Sequence, residues 1–355
     1  MSMTLIKPNE TNMKKIGRTH LVEDTLWLVH SGSGAEFCFR GTKAVVTMLA
    51  DSIVDSTEEE HARIAIYVNG ICMVTDLMNE KEQSYVVLES DREEECTVTI
   101  IKLSEAPMST VGIKSVETDS EKGIARTEDR ARFIEFIGDS ITCGYGVEDE
   151  DKEHHFKTST ENVTRAYAYK TAKELDADYS MVSFSGYGII SGYTATGETK
   201  ITEQRVPDYY EMLAYSRGVY LDCKPMEFTW DFTKRQPDLI VVNLGTNDDS
   251  YTLDYPDRKE EYRMAYVGFL KKIRKNNPDA KILCTLGIMG GRLYPTLVKA
   301  VEDYKEETGD MAIDAMQFEE QKISDGYAAD WHPTETTHRK AADKLIKKIQ
   351  EIMGW

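Results

Sequence analysis

The feature that most constrains this chain is a change of texture near residue 120. Before it, short β-rich runs follow one another. Phe37-Cys38-Phe39 leads to Ala44-Val45-Val46-Thr47-Met48-Leu49, then to Ile64-Ala65-Ile66-Tyr67-Val68. Asn69-Gly70 separates that run from Ile71-Cys72-Met73-Val74, and such a pair between two β-rich runs is a strong hairpin signal. Tyr85–Leu88 and Thr97–Ile101 continue the pattern, with turn-like clusters at intervals of about ten residues, as in a jelly-roll type of β-sandwich. No helix of useful length is expected there. After the polar stretch Val116–Gly123, strands and helices alternate.

The second texture predicts strands at Phe133–Ile137, Ser180–Phe184, Leu239–Leu244 and Lys281–Leu286. It predicts helices at 164–175, 262–275 and 337–353. Leu239–Leu244 is apolar in five of its six positions, as a strand covered on both faces must be. Leu345, Ile349 and Ile352 fall on one face of the last helix. Alternation of this kind implies a parallel sheet in an α/β fold, whose reactive groups gather at the carboxyl ends of strands. Two domains are expected, 1–130 and 131–355, and 355 residues suffice for both without disulfide staples.

Charge narrows the partners. The chain carries 43 Lys+Arg against 62 Asp+Glu, a net −19. Binding to a phosphate backbone or an anionic membrane requires clustered cations, so neither nucleic acid nor membrane is expected. A neutral small molecule or glycan is compatible. The six cysteines form no C-x-x-C pair, and neither a metal site nor a cofactor is expected. No apolar leader is visible at the N-terminus, which suggests a cytoplasmic protein, or a secreted one if a leader has been removed.

Four short motifs stand at strand ends or before the last helix. Gly138-Asp139-Ser140 follows the first strand, where Ser140 can face solvent and its N–H can meet an oxyanion, although Ser in such a loop more often caps a helix. Ser185-Gly186-Tyr187-Gly188 offers a second backbone donor at Gly186, or simply a tight turn. Gly245-Thr246-Asn247-Asp248 offers a side-chain amide at Asn247. Asp330-Trp331-His332-Pro333 brings an imidazole, the natural base near neutral pH.

In this order the blocks resemble the SGNH, or GDSL-type, hydrolases, and with the β-rich front half they resemble carbohydrate esterase family 2. That resemblance implies a flavodoxin-like α/β/α hydrolase domain behind a β-sandwich. It implies an acetylesterase acting on plant polysaccharides such as xylan or mannan through an acyl-enzyme. Ser140 would be the nucleophile and His332 the base, with an oxyanion hole of Ser140, Gly186 and Asn247. Most such enzymes carry an Asp three residues before the His, where this chain has Ala329. The resemblance therefore implies a dyad in which a backbone carbonyl holds His332 Nδ1–H, with Asp330 as the alternative orienter. Trp331, Tyr187, Tyr294 and Trp230 are candidate sugar-binding aromatics. Competing readings are another SGNH esterase (arylesterase, thioesterase or lysophospholipase) and an inactive glycan-binding protein. No Gly-x-Ser-x-Gly elbow is present to support an α/β-hydrolase lipase.

Overall fold

A computed structural model describes residues 2–355. The chain forms two compact units. The first is Met1–Asp129 with two later segments, Lys157–Glu161 and Met212–Thr229; the second comprises Arg130–Phe156, Asn162–Glu211 and Trp230–Trp355. The linear reading assigned both excursions to the downstream part. Nothing in their local sequence marks them, because what holds them to the first unit is contact rather than chain order.

In the first unit ten strands join into one antiparallel sheet. Two long strands, Gly34–Ala50 and Glu82–Lys102, form its spine, with register shifts between Gly41 and Lys43 and between Ala44 and Val45. Such irregularities bend and twist long strands, which curls the sheet over one core. Phe37, Val46, Ile64, Val98, Ile100 and Ile113 are all fully buried in that core. The runs read from sequence are present, but several merge: Phe37–Phe39 and Ala44–Leu49 lie on one continuous strand. The Asn69-Gly70 hairpin forms as expected, with both residues at positive φ. Val116–Thr118, read as the start of a linker, ends the strand Val111–Thr118 instead. Helical structure in residues 2–129 is limited to two short 3-10 turns.

The second unit is a five-stranded parallel sheet: β1 (Arg132–Gly138), β2 (Ala177–Ser183), β3 (Leu239–Asn243), β4 (Lys281–Leu286) and β5 (Ile313–Gln317), in the order β2-β1-β3-β4-β5. This is the flavodoxin-like order, with its reversal beside β1. All five residues of β3 are buried, in keeping with a central strand covered on both faces. β5 was not anticipated: Ile313-Asp314-Ala315-Met316-Gln317 alternates weakly and sits at the sheet edge.

Six helices matter here: α1 (Ser140–Cys143), α2 (Tyr167–Glu174), α3 (Thr246–Thr252), α4 (Pro256–Asn276), α5 (Tyr294–Thr308) and α6 (Glu335–Met353). α4 starts six residues before the expected Tyr262. Its first turns are charged and lack an apolar stripe, but Pro256 at the first position has the φ a helix requires and no N–H to lose. Tyr262, Tyr266, Phe269, Leu270 and Ile273 then supply the buried face. Among the described residues no helix is long and apolar enough to cross a membrane.

Candidate active site

β1 delivers Ser140. The strand ends at Gly138, and Asp139 caps the following turn by accepting the Ile141 N–H at 3.0 Å. Ser140 is therefore the first residue inside α1, not its cap. Its hydroxyl is free of capping duty, and its N–H is among the helix-start donors that have no intrahelical acceptor.

Across the sheet end, His332 Nε2 lies 2.9 Å from Ser140 Oγ. The other ring nitrogen, Nδ1, faces two backbone carbonyls, Asp330 O at 3.1 Å and Ala329 O at 3.2 Å. Carbonyls only accept, so Nδ1 carries the proton and Nε2 is left as the acceptor toward the serine hydroxyl. Burial pushes the imidazole down to about 4, opposed by the two carbonyl contacts and the nearby Asp330 charge. The ring is therefore neutral at pH 7, the state a general base needs.

The Asp330 carboxylate is not the orienter. Its Oδ2 accepts from the Tyr145 hydroxyl at 2.7 Å and the Phe156 N–H at 3.0 Å, and Oδ1 lies 3.0 Å from His155 Nδ1. The cause is backbone conformation. Asp330 and Trp331 both adopt left-handed φ, 48° and 62°. This tight turn presents Asp330 to His332 by its main-chain oxygen and sends its side chain the other way.

The loops after β2 and β3 are tied together by a buried carboxylate. Asp248, on α3, accepts the N–H groups of Ile189 at 2.9 Å, Ile190 at 2.7 Å and Ser191 at 3.2 Å. A side chain at Gly188 could not coexist with this cradle: its Cβ would stand 2.6 Å from the Asp248 carboxylate and 2.2 Å from Ser191 O. Gly186, at φ 81°, occupies a conformation that favours glycine, and its carbonyl accepts the Tyr193 N–H at 2.8 Å. Asn247 Nδ2 donates to Tyr187 O at 2.8 Å and lies 3.5 Å from Asp139 Oδ2. Burial raises Asp248 to about 6, against its three N–H donors. Burial likewise raises Asp139 to about 7; the Ile141 N–H opposes this and the Asp248 charge adds to it.

Of the candidate aromatics, only Trp331 suits ligand contact. It stands 47% exposed beside His332, with the Lys152 ammonium 3.7 Å from its ring centre. Tyr187 is buried, its ring packed on Phe184 at 5.3 Å and Tyr209 at 5.9 Å; the Gly-Tyr-Gly turn folds it inward. Tyr294 opens α5, and its electrostatic neighbours are Asp314, Cys284 and Lys348, on β5, β4 and α6 respectively. Trp230 lies under Lys234 at 5.5 Å and donates its N–H to Glu211 O, contacts that belong to its own loop. Of these three, Tyr187 reaches a candidate site residue, Asn247, through its backbone carbonyl.

The sequence reading missed Tyr145. Its ring stacks on His332 with centroids 3.9 Å apart and planes at 22°, and Phe156 packs at 4.4 Å from Tyr145. Tyr145 lies five residues after Ser140, but its partner is distant in sequence, so no local signal announces the stack.

Known proteins share both parts of the chain. The GDSL-like lipase/acylhydrolase family model matches residues 136–340, and the chain belongs to that family. The carbohydrate esterase 2 N-terminal model matches residues 15–127, so both parts of a family 2 carbohydrate esterase are present in order. The chain is 33% identical to a cellulase/esterase, CelE, of Acetivibrio thermocellus over 92% of its own length, and spans 37% of that relative's length. It is 25% identical to an acetylxylan esterase/glucomannan deacetylase of Cellvibrio japonicus, covering 99% of this chain and 91% of the relative. A family two carbohydrate esterase from Clostridium thermocellum, solved in complex with cellohexaose, is 29% identical with a TM-score of 0.82, covering 97% and 99% of the two chains.

Proposed function

We propose that this chain removes acetyl groups from acetylated oligo- or polysaccharides of the xylan or mannan type. The observation that carries the chemistry is the 2.9 Å contact between Ser140 Oγ and the Nε2 of an imidazole whose Nδ1–H is held by carbonyls. The acetylxylan esterase/glucomannan deacetylase relative, matched over nearly the full length of both chains, supports the substrate class.

Ser140 Oγ attacks the acetyl carbonyl while His332 Nε2 takes the hydroxyl proton. The imidazolium so formed is stabilised by the Asp330 and Ala329 carbonyls, which replace the usual carboxylate. The tetrahedral oxyanion is met by the Ser140 N–H, the Gly186 N–H and Asn247 Nδ2, which exchanges its long 3.5 Å contact with Asp139 Oδ2 for the oxyanion while Tyr187 O keeps the other hydrogen. His332 then protonates the departing sugar oxygen, and the acetyl group stays on Ser140. Water enters, gives its proton to His332 and attacks the acyl-enzyme. Acetate leaves and Ser140 recovers its proton. Trp331 supplies an exposed aromatic face beside the base on which a sugar ring can rest.

The test is NMR of an acetylated xylo- or manno-oligosaccharide mixture during digestion, which reads both acetate release and the carbon deacetylated. Preference for aryl octanoates over acetates would favour a lipid-type esterase. Binding of acetylated oligosaccharides without turnover would favour a glycan-binding protein.

A further inference from the structure

His332 lacks a carboxylate partner, yet a partly buried acid stands two residues away with three donors around it. We propose that the Asp330 carboxylate is a positioning group that locks the left-handed turn supplying the carbonyl on His332 Nδ1, with Tyr145 as its second half. This inference rests on the esterase reading above and extends it to residues that never touch substrate.

The argument is geometric. Two consecutive non-glycine residues at positive φ are strained and persist only when surrounding contacts over-determine them. Here the contacts converge on one residue. The Asp330 N–H donates to His154 O at 3.0 Å, and its carboxylate takes Tyr145 O–H, Phe156 N–H and His155 Nδ1. Four bonds thus tie Asp330 to the 145–156 segment, and the side chain accepts three of them. Burial alone would raise the Asp330 carboxyl, but the Tyr145, His155 and Phe156 donors together hold it below its ordinary value.

Tyr145 couples this clamp to the imidazole twice. Its hydroxyl holds Asp330, while its ring lies flat on His332 at 3.9 Å. The ring plane and the direction of Nδ1–H are therefore set by one assembly. A canonical triad orients the base through a side-chain carboxylate; in this chain the carboxylate orients the carbonyl, and the carbonyl orients the base.

The experiment pairs kinetics with histidine NMR on the full chain carrying Asp330→Asn or Tyr145→Phe. Tyr145→Phe keeps the stacked ring and removes only the hydroxyl, so it guards against simple misfolding. For Asp330→Asn the expectation is a kcat loss of about tenfold to a hundredfold on an aryl acetate with KM little changed, the size of effect a small misplacement produces. The acid limb of kcat/KM should also shift to lower pH, because a negative charge near His332 is lost. Tyr145→Phe should lose less, in kcat again. In the NMR arm, the His332 imidazole should titrate at lower pH in Asp330→Asn than in wild type. Wild-type kcat and an unmoved His332 titration in both variants would overturn the proposal. So would a loss confined to the folded fraction with kcat per active site unchanged. If the wild-type chain hydrolysed no acetate ester, the esterase reading would fall. The His332 titration in Tyr145→Phe, which keeps the Asp330 charge and needs no turnover, would still decide the clamp.

Discussion

Both compact units bury charged side chains, and they use them differently. In the antiparallel unit, Lys102 Nζ donates to Ser104 O at 2.6 Å and Glu105 O at 3.0 Å, and Asp51 accepts from Ile53 N–H and the Thr110 hydroxyl. These ions staple loops to a sheet whose strand ends point both ways. In the parallel unit, Asp139 and Asp248 do the same kind of stapling, but every strand there ends at one edge. The loops they fix are therefore neighbours, and Ser140, Gly186 and Asn247 are gathered with them. An unpaired buried charge costs several kcal/mol wherever it sits, so each is satisfied. Only the parallel topology turns that satisfaction into a reactive site.

Substitutions can break this contrast. Ser140→Ala should abolish turnover, by on the order of 10⁵–10⁶ in kcat, with an unchanged unfolding midpoint. Near-wild-type hydrolysis of an aryl acetate would refute the assignment. In the β unit, Phe37→Ala should act in the opposite sense. It opens a cavity in a fully buried core and should cost ~3–5 kcal/mol in urea unfolding while kcat per folded molecule stays unchanged. Asn247→Ala removes one oxyanion donor and should lose about 10²–10³ in kcat. A larger effect on KM than on kcat would mean the amide holds ground-state substrate instead.

The smallest effect is in pH. His332 must be neutral to accept the Ser140 proton, and burial sets it near 4 instead of the ordinary 6.5. Activity is therefore retained as pH falls through 6.5 and lost as it falls through about 4. A kcat/KM profile with its acid limb at 6.5 would show that the imidazole is better solvated than the structure has it.

His338 sharpens the point within the same unit. Burial and the Lys170 charge depress it to about 3, and its Nδ1 accepts the Tyr167 N–H at 3.2 Å. Two neutral histidines thus serve opposite purposes. One is closed off by a backbone donor, and the other keeps Nε2 aimed at a hydroxyl. Sequence context separated them, since only His332 sits in a loop before a helix with Pro333 behind it.

Much of the arrangement was legible from the chain alone. The switch from strand-only to strand–helix texture, the apolar β3 and the four motifs at strand ends follow from local periodicity and turn chemistry. These depend on neighbours within a few residues. They marked Ser140, Gly186, Asn247 and His332 as candidates, of which the structure brings Ser140 and His332 within 2.9 Å, and the resemblance suggested a carbonyl-held base. Contacts between distant segments had no such signal. Only the tertiary structure showed that Tyr187 folds inward, that Tyr145 stacks on His332, and that segments 157–161 and 212–229 join the first unit. It also decided the role of Asp330. A sequence gives the side chain and its position, but a left-handed turn determines whether that residue meets the imidazole by its carboxylate or by its carbonyl.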